Sequence, residues 1–540
     1  MTRRYLILIS LALLVVFALQ GCFLIGDLPT PSPVAENAPE DEYPELDDPP
    51  LPPPAQPPEP GRFALRYDPS TTLNPLLTLN RDNIILSTLM YESLFALDTS
   101  LNAVHELCAD YSSEDFLHWT FEILPDIAMS DGTTLTATDV VYSFRQAITR
   151  GRFESRFNSV TSLEVIDELS FSVLLNSPNS RFINLLDFPI IKTETMDMRV
   201  PPGTGSYIFS DEGGSVRLNR FRRHRDYGDM PVSVIHLVAC ADNELTELFD
   251  SGEISLLWDD PASTYDIRLN RLHEMRFYDT TSLQFIGFNA NNIVLRDRDV
   301  RRGISSSIER QFIVDEIMPG QSIASPLAIS PAFFLYDPEW EARAITPFQE
   351  MSILFERARL SDSDNDSLLE LYDGLGGYIK FSIDFIVNTE NTHKVQAAHR
   401  ISNTLRLAGI NITVRELPWD RFLEALEEGE FDMYYGEIML GGDFDLSPLL
   451  LPGPLDYGET ADSGYRLLIE DFLAAKSPDD IQRATQILCE QIKIFAPFAP
   501  ILYKKHAIYT PLGATIGAEP SQSSIFRNFK DWTINLTMLT

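Results

Sequence analysis

The clearest alternation of apolar and polar positions lies between residues 381 and 415. Apolar residues at every second position predict a half-buried strand over 381–387. The apolar spacing then becomes helical over 395–408, and Gly409 follows where a left-handed helix cap is easiest for glycine. Alternation returns over 410–414. A strand, a helix and a strand in this order predict a right-handed βαβ unit with parallel strands, and therefore an α/β domain.

An earlier stretch predicts a turn, a helix and a strand in succession. Residues 130–132 read Ser-Asp-Gly, a common turn sequence. Thr136 followed by Asp139 resembles a helix capping box, and an apolar stripe over 140–148 continues the predicted helix. Alternating apolar residues over 169–175 predict a strand. Strands and helices are therefore mixed along the chain.

The amino-terminal segment has the pattern of an export signal. Arg3 and Arg4 precede an apolar run over 6–19, which only Ser10 interrupts. At about 1.5 Å per residue this run is too short to cross a bilayer core of roughly 30 Å as a helix. A short apolar run after basic residues is typical of a cleaved signal peptide, here predicted over residues 1–21.

Residues 19–22 read Leu-Gln-Gly-Cys, which resembles the lipobox of bacterial lipoproteins. The resemblance implies cleavage before Cys22 and attachment of diacylglycerol to its sulfur. An ordinary secretory signal with a chance cysteine is the alternative. Residues 23–60 contain 13 prolines and nine acidic residues without lysine or arginine, so 22–61 is predicted to be a semi-rigid tether. A proline-rich segment of this kind also serves elsewhere as a docking ligand.

Composition excludes several classes of function. The formal charge of −37 argues against nucleic-acid binding, which depends on cations that meet phosphates. Three cysteines follow the predicted lipidation site, namely Cys108, Cys240 and Cys489. Their wide spacing does not suggest a metal site, and they permit at most one disulfide or three buried thiols.

No enzyme or metal motif is evident. Residues 362–373 mimic a calcium-binding loop, but Ser367 replaces its turn glycine and Asp373 its bidentate glutamate, which favours a solvated loop. The eight histidines are scattered, and neither a phosphate-binding loop nor a serine nucleophile elbow is present. The prediction is a binding protein without catalytic activity, cofactor or bound metal.

The order of several segments between about Leu73 and Tyr503 resembles the family 5 bacterial extracellular solute-binding proteins of peptide and nickel ABC importers. The most specific segment begins with Trp-Thr-Phe-Glu-Ile-Leu at 119–124 and runs through Ser-Asp-Gly-Thr to Val-Val-Tyr-Ser-Phe at 140–144. Other matching segments are 73–76, 91–95, 202–207, 251–254, 288–289, 299–302, 309–310 and 429–432.

The resemblance implies a two-lobe, periplasmic-binding-protein-like fold of the cluster C type, with a hinge and an extra third domain. Ligand is expected in the cleft between lobes that close around it. Carried over to this sequence, the predicted boundaries are 62–96, 200–288 and 510–540 for lobe I, 97–199 for the extra domain, and 289–509 for lobe II.

The resemblance also suggests ligand-binding residues. Asp443, in the segment Gly-Gly-Asp-Phe-Asp at 441–445, matches an aspartate that anchors the ligand ammonium in peptide-binding relatives. Such a contact is a strong, charge-assisted hydrogen bond. The adjacent Gly442 and Phe444 belong to the same predicted site. Trp419 matches a tryptophan that lines a ligand pocket, although core packing would serve equally well. The remaining candidates are Asp82, Asn83, Ser282, Leu283 and Gln284, of which the last three would use their backbone.

The function that the resemblance implies is capture of peptides for an ABC importer. The expected partners are a peptide, the permease and ATPase subunits, and the membrane through the lipid at Cys22, with the protein monomeric and extracytoplasmic. Two alternatives stay open. The same fold also carries oligosaccharides, metal chelates or haem, and a surface lipoprotein enzyme would show a nucleophile or metal cluster in the cleft.

Overall fold

The computed structural model of the chain describes residues 61–262, 267–344 and 348–539. The predicted signal peptide, Cys22 and nearly all of the predicted tether lie outside these residues. Among the helices that are described, none combines the length and the apolar character needed to span a bilayer.

Many short strands and a few long ones build the sheets. In chain order they are β1 (Ala64–Arg66), β2 (Phe95–Leu97), β3 (Ala103–His105), β4 (Cys108–Ser112), β5 (His118–Ile123), β6 (Val160–Val165), β7 (Ser170–Leu175), β8 (Tyr207–Glu212), β9 (Ser215–Arg220), β10 (Val234–Val238), β11 (Leu257–Asp259), β12 (His273–Phe288), β13 (Ser322–Ala324), β14 (Leu360–Ser361), β15 (Glu370–Tyr372), β16 (Tyr378–Ile379), β17 (Ile383–Asn388), β18 (Ile412–Leu417), β19 (Met433–Met439), β20 (Phe498–Pro511), β21 (Thr515–Ile516) and β22 (Thr533–Ile534).

The α-helices of six residues or more cover these sheets. They are α1 (Arg81–Met90), α2 (Ala137–Thr149), α3 (Leu245–Asp250), α4 (Arg298–Ser307), α5 (Pro338–Ala344), α6 (Met351–Arg357), α7 (Thr392–Leu407), α8 (Trp419–Glu427), α9 (Arg466–Ala474) and α10 (Pro478–Phe495).

The strands form several separate sheets, and the largest of them contains strands from both predicted lobes. One sheet has the order β1-β10-β9-β8, and a second has the order β4-β5-β7-β6. A seven-stranded sheet runs β11-β20-β12-β19-β17-β18, with β13 also on β20. Mixed helices and sheets confirm the predicted α/β class. The exact domain boundaries stay a prediction.

The predicted βαβ unit is confirmed. Strands β17 and β18 pair in parallel, with Ile383 opposite Ile412, and α7 connects them. Gly409 follows the helix with a φ of +88°, the left-handed backbone that glycine adopts without a steric penalty. Ala398, Ile401 and Leu405 face the core, so local periodicity placed the buried face of α7 correctly.

The second predicted stretch is confirmed as α2 and β7. Thr136 caps α2 and forms a capping box with Asp139, whose carboxylate accepts hydrogen bonds from the Thr136 backbone N–H at 3.0 Å and its hydroxyl at 2.9 Å. In β7, Phe171, Val173 and Leu175 are buried while the residues between them are half-buried. Both elements pack into the core that the first lobe shares with residues 97–199.

Among the described residues, apolar side chains form one large and one small cluster on the first-lobe side and two clusters on the second-lobe side. The first cluster joins residues of β1 and β10 with residues of β5, β7 and α2, so the predicted extra domain shares a core with the first lobe. The other two clusters lie mainly within residues 283–503. Cys108, Cys240 and Cys489 are free thiols in this structure, which agrees with the alternative of no disulfide.

Gly205 lies where the chain returns from the extra domain and approaches the end of α1. A Cβ at this position would lie 2.3 Å from the backbone carbon of Met90 and 2.5 Å from the carbonyl oxygen of Leu89. Because backbone atoms yield less easily than side chains, we expect Gly205→Ala to lower the free energy of unfolding by about 1–3 kcal/mol. Urea denaturation measures this difference.

Gly228 provides the matched control for this substitution. No heavy atom lies within 4 Å of the position that its Cβ would occupy. We expect Gly228→Ala to change the free energy of unfolding by less than about 0.5 kcal/mol. Equal effects of the two substitutions would contradict the steric explanation for Gly205.

Candidate functional site between the lobes

Strands β12 and β20 connect the two lobes and place polar groups between them. They pair antiparallel along most of their length, with an irregular register between Asp279 and Leu283. Strand β11 adds to β20 on the first-lobe side, whereas β19 adds to β12 on the second-lobe side. Side chains near the middle of β12 and β20 therefore lie at the junction of the lobes, where a hinge would act.

An ion-pair cluster, which we call the hinge cluster, lies at this junction and consists of Asp260, Lys394, Glu437 and Lys504. Asp260 and Lys504 are buried, whereas Lys394 and Glu437 are partly open to solvent. The ammonium of Lys504 contacts the Asp260 carboxylate and lies 2.8 Å from Glu437 Oε1. The ammonium of Lys394, in the first turn of α7, lies 2.9 Å from Glu437 Oε2. Asp260 directly follows β11, so the cluster links a first-lobe strand with second-lobe elements.

Electrostatics keep the hinge cluster ionised despite its partial burial. Burial alone would raise the pKa of Glu437, but the nearby Lys394 and Lys504 outweigh it and lower this pKa to about 2. Burial alone would lower the pKa of Lys504, but Glu437 and Asp260 outweigh it and raise this pKa. The charges stabilise each other, and removal of one would leave the others buried without a partner.

The hinge cluster continues toward α1 through aromatic side chains. The guanidinium of Arg81 lies 4.2 Å from the ring centre of Trp258, a cation–π contact. Burial and then the neighbouring Asp260 raise the pKa of Asp259 to about 7. Burial lowers the pKa of His506 to about 4, so this ring is neutral at neutral pH. The junction therefore offers charges of both signs, together with groups that are readily neutralised.

The residues predicted from β12 support the sheet and the hinge cluster. Gln284 donates through Nε2 to Glu437 Oε2 at 3.0 Å and accepts from the Tyr435 hydroxyl at 2.9 Å. Leu283 belongs to a second-lobe core, and Ser282 is buried. Leu283 and Gln284 face β19 on one side and β20 on the other. Their backbone thus lies between two paired strands, and its contact with ligand stays a prediction.

Asp82 and Asn83, in the first turn of α1, are engaged within the first lobe. Asn83 is fully buried and donates through Nδ2 to the Asp68 carbonyl and the Thr71 hydroxyl, both at 2.9 Å. The Asp82 carboxylate lies 3.4 Å from Arg66 Nε. Burial raises the pKa of Asp82, and Arg66 only partly opposes this effect. Both side chains hold the loop before α1, and their contact with ligand stays a prediction.

Asp443 lies where the second lobe meets the segment 179–184. Its side chain is only 3% exposed, and Oδ2 accepts a hydrogen bond from Asn179 Nδ2 at 2.8 Å. Arg181 Nε donates to the backbone carbonyl of Asp443 at 3.2 Å, and Asn184 Nδ2 donates to that of Gly442 at 3.0 Å. The structure thus brings Gly442 and Asp443 against the extra domain, although no motif in the sequence identified Asn179 or Arg181 as their partners.

The carboxyl group of Asp443 is buried, and the nearby cation of Arg181 opposes the effect of this burial only in part. Burial and the neighbouring Asp445 raise the pKa of Asp443 to about 6. Its side chain forms no ion pair within the described part of the chain. Phe444 has a left-handed φ of +56° and packs its ring on Phe333 in a second-lobe core. The side chain of Phe444 is fully buried in this core, and its role in ligand binding stays a prediction.

Trp419 begins α8 with its side chain partly open. It is 46% exposed, and its ring stacks on that of Phe422 with the ring centres 5.9 Å apart. The position is therefore compatible with a pocket wall, and its role stays a prediction.

A cavity with a volume of about 650 Å³ lies beside α1, and we call it the α1 cavity. It extends from one face of α1 to the end of β19, where Met439 is 56% exposed. Residues from the predicted first lobe, extra domain and second lobe therefore share it. Lining residues that represent these parts are Ile84, Thr88, Glu106, Arg152, Met439 and Gln522.

Asp260, Glu437 and Lys504 are not among the residues predicted from the sequence. The sequence nevertheless contains a signal that could have identified two of them. Glu437 is a charged residue within the mainly apolar β19, and Lys504 is one within the mainly apolar β20. A charged residue inside such a strand needs a buried partner, which points to a polar cluster. Which charges meet depends on strand order, and periodicity does not reveal this order.

The acidic loop at 362–373 brings Asp362, Asp364 and Glu370 together within the part of the chain that the structure describes. The Lys380 ammonium lies 2.6 Å from Asp364 and 2.8 Å from Asp366, both exposed. A lysine of the same chain thus compensates this negative charge, in line with the interpretation as a solvated loop.

Comparison with known proteins gives consistent matches. The sequence profile of the bacterial extracellular solute-binding proteins, family 5 (middle region), matches residues 102–452. The oligopeptide-binding protein AppA of Bacillus subtilis is 21% identical over 389 residues, which cover 67% of this chain and 70% of AppA. The periplasmic oligopeptide-binding protein OppA of Salmonella typhimurium is 21% identical over 392 residues, which cover 64% of this chain and 68% of OppA.

Solved structures share the fold. The ABC transporter substrate-binding protein CtaP from Listeria monocytogenes superposes with a TM-score of 0.70 at 16% identity, over 88% of this chain and 100% of CtaP. At this level of identity the similarity concerns the fold alone, and it confirms the predicted two-lobe architecture.

Proposed function

Because this chain belongs to the bacterial extracellular solute-binding proteins of family 5, we propose that it captures peptides between its two lobes and delivers them to an ABC importer. Residues 102–452, which match the family profile, include both the segment 179–184 and Asp443, which meet at the lobe junction. The proposal involves reversible binding and no chemical change of the ligand.

The buried carboxyl group of Asp443 carries this proposal. Its pKa stays raised although Arg181 lies nearby, so its charged form is unfavourable, and a ligand ammonium in direct contact would stabilise that form. One donor, the amide of Asn179, already contacts Oδ2. A carboxylate has further acceptor positions, so an ammonium can join this hydrogen bond or replace it. Free peptides carry such an ammonium at one end.

The relatives support a peptide as the ligand class. Both AppA of Bacillus subtilis and OppA of Salmonella typhimurium are named for oligopeptide binding. An acidic group such as Asp443, which can meet a ligand ammonium, suits a peptide better than a neutral sugar. These features favour a peptide over an oligosaccharide.

The cellular setting belongs to the same proposal. We expect the monomeric protein to be held at the outer face of the membrane by a lipid on Cys22, with the proline-rich segment as its tether. Its partners are then the permease and ATPase subunits of the importer. Globomycin, which blocks lipoprotein signal processing, should leave the unprocessed form in cells, and Cys22→Ala should release the protein from the membrane.

Native mass spectrometry of the protein as purified, followed by denaturing release of its ligand, tests the peptide proposal. We expect a mixture of short peptides with free amino termini. Recovery of a saccharide or a metal chelate, or conversion of an added peptide into a product, would overturn it.

A further inference from the structure

The α1 cavity contains more positive than negative charge, although the protein as a whole is strongly acidic. Five cationic and four acidic side chains line it, besides two histidines. The formal charge of the chain is −37, so this local excess runs against the overall composition. The charged lining residues are Glu92, Glu106, Arg152, Arg156, Asp187, Arg225, Asp226, Arg527 and Lys530.

Most of these charges neutralise each other within the protein. The ion pairs are Arg156 with Asp187, Arg225 with Glu92, Lys530 with Asp226, and Arg527 with Glu519. Asp187 is held from a second side, because its Oδ2 accepts a hydrogen bond from the Ser523 hydroxyl at 2.8 Å. These pairs leave little charge free for a ligand.

Arg152 is the exception among the cations. In the part of the chain that the structure describes, its guanidinium forms no hydrogen bond and no ion pair, and it lies 4.4 Å from the ring centre of Phe153. The guanidinium of Arg156 lies 5.0 Å from the same ring. Phe153 thus holds two guanidinium groups near each other, of which only Arg156 has a carboxylate partner.

The surroundings of Arg152 favour an added anion. The side chain is accessible to water through the cavity, yet the protein around it, followed by the nearby Arg156, lowers its pKa to about 10. A carboxylate beside the guanidinium would relieve both effects. An arginine fork also matches a carboxylate geometrically, with two parallel N–H···O hydrogen bonds.

Glu106 is the unpaired acid of the same cavity. Its Oε2 accepts hydrogen bonds from the Ser93 backbone N–H at 3.1 Å and from the Ser93 hydroxyl at 2.7 Å. Burial and then Glu92 raise the pKa of Glu106 above its ordinary value.

We infer that the α1 cavity is a subsite for an anionic group of the ligand, with Arg152 as its ion-pair partner. This inference rests on the proposed function, and it adds that the preferred peptides carry an acidic side chain that reaches this cavity. Arg152 then determines specificity, because an acidic group would otherwise meet a protein of strongly negative overall charge.

The experiment compares two matched sets of short alanine peptides, one with a single glutamate and one with a single glutamine at each internal position. Isothermal titration calorimetry gives the affinity of each peptide for the wild-type protein and for Arg152→Gln. We expect at least one glutamate peptide to bind the wild type more tightly than its glutamine partner. The substitution Arg152→Gln should remove this preference, because it should lower the affinity for that glutamate peptide about tenfold or more. The affinity for the glutamine peptides should stay the same.

Two further variants control for general effects. Arg222 is exposed and does not line the cavity, so Arg222→Gln removes the same charge elsewhere and should leave the preference intact. Glu106→Gln should maintain or strengthen glutamate binding. The inference is wrong if Arg152→Gln and the wild type show the same preference, or if Glu106→Gln weakens glutamate binding as much as Arg152→Gln does. If the wild type binds neither peptide set, the proposed function itself fails.

Discussion

The substitution Asp443→Asn is expected to weaken binding of a peptide with a free amino terminus by more than about 2 kcal/mol, because it removes one partner of a buried charge pair. Asparagine retains an oxygen that can accept the hydrogen bond from Asn179 Nδ2, which spans 2.8 Å in the native protein. The contact between the extra domain and the second lobe should therefore persist. Only the charge that would meet the ligand ammonium is lost.

The same residue should make peptide binding depend on pH. Because the pKa of Asp443 is raised to about 6, the carboxyl group is charged above this pH and becomes neutral below it. Neutral Asp443 cannot pair with an ammonium. Affinity should therefore be highest above about pH 7 and fall by up to about tenfold per pH unit below pH 6, whereas Asp443→Asn should show a flat profile. Calorimetry between pH 5 and pH 8 measures both profiles.

Stability of the ligand-free protein provides the control for this substitution. The pKa of Asp443 is higher in the folded protein than in the unfolded chain, so the folded protein binds this proton more tightly. The resulting stabilisation is present at low pH and is lost as the pH rises through about 6. At pH 8 the wild type therefore carries an unfavourable buried charge that Asp443→Asn lacks, so the variant should be at least as stable. If Asp443→Asn leaves the affinity for a free-amine peptide unchanged, Asp443 does not bind the ligand ammonium. The same conclusion follows if the variant loses as much affinity for an amino-terminally acetylated peptide as for the free-amine peptide.

The second large effect is expected at the hinge cluster, where Lys504→Met should lower the free energy of unfolding by about 3–5 kcal/mol. Methionine fills a similar volume but leaves the carboxylates of Asp260 and Glu437 without the ammonium that contacts both. The lysine side chain is 4% exposed, so water cannot replace it easily. Urea denaturation at neutral pH measures the loss.

Lys380→Met is the matched control for Lys504→Met. Lys380 also contacts the exposed carboxylates of Asp364 and Asp366 and lies 3.8 Å from that of the buried Glu370, but its own side chain is 61% exposed. Surface ion pairs contribute little, so this substitution should cost less than about 1 kcal/mol. Similar losses for the two variants would contradict a buried, mutually dependent hinge cluster.

A lower pH should reduce the difference in the free energy of unfolding between the wild type and Lys504→Met. The pKa of Glu437 in the folded protein is about 2, below its ordinary value of 4.5, so its contribution to stability is full above about pH 4.5 and is lost as the pH falls toward 2. The wild type therefore loses more stability than the variant across this window. Denaturation curves at several acidic pH values check the sign.

The local sequence pattern was sufficient to predict several of the helices and strands. The parallel pair β17 and β18, the intervening α7 with its glycine cap, and the capping box of α2 follow from alternation, helical spacing and cap residues. These signals involve neighbours within a few turns or strand residues, which the sequence displays directly. Family resemblance then supplied the two-lobe arrangement and the position of Asp443.

The site itself depended on contacts between distant parts of the chain. The backbone of Leu283 is paired on both sides because β19 and β20 flank β12. The burial of Asp443 depends on its contact with Asn179, which lies 264 residues away in the sequence. Lys504 meets Asp260 across 244 residues. The sequence by itself determined where helices and strands begin and which of their faces are apolar, because those properties are local. Only the tertiary structure decided which charges are buried together, because strand order and lobe packing bring distant residues into contact.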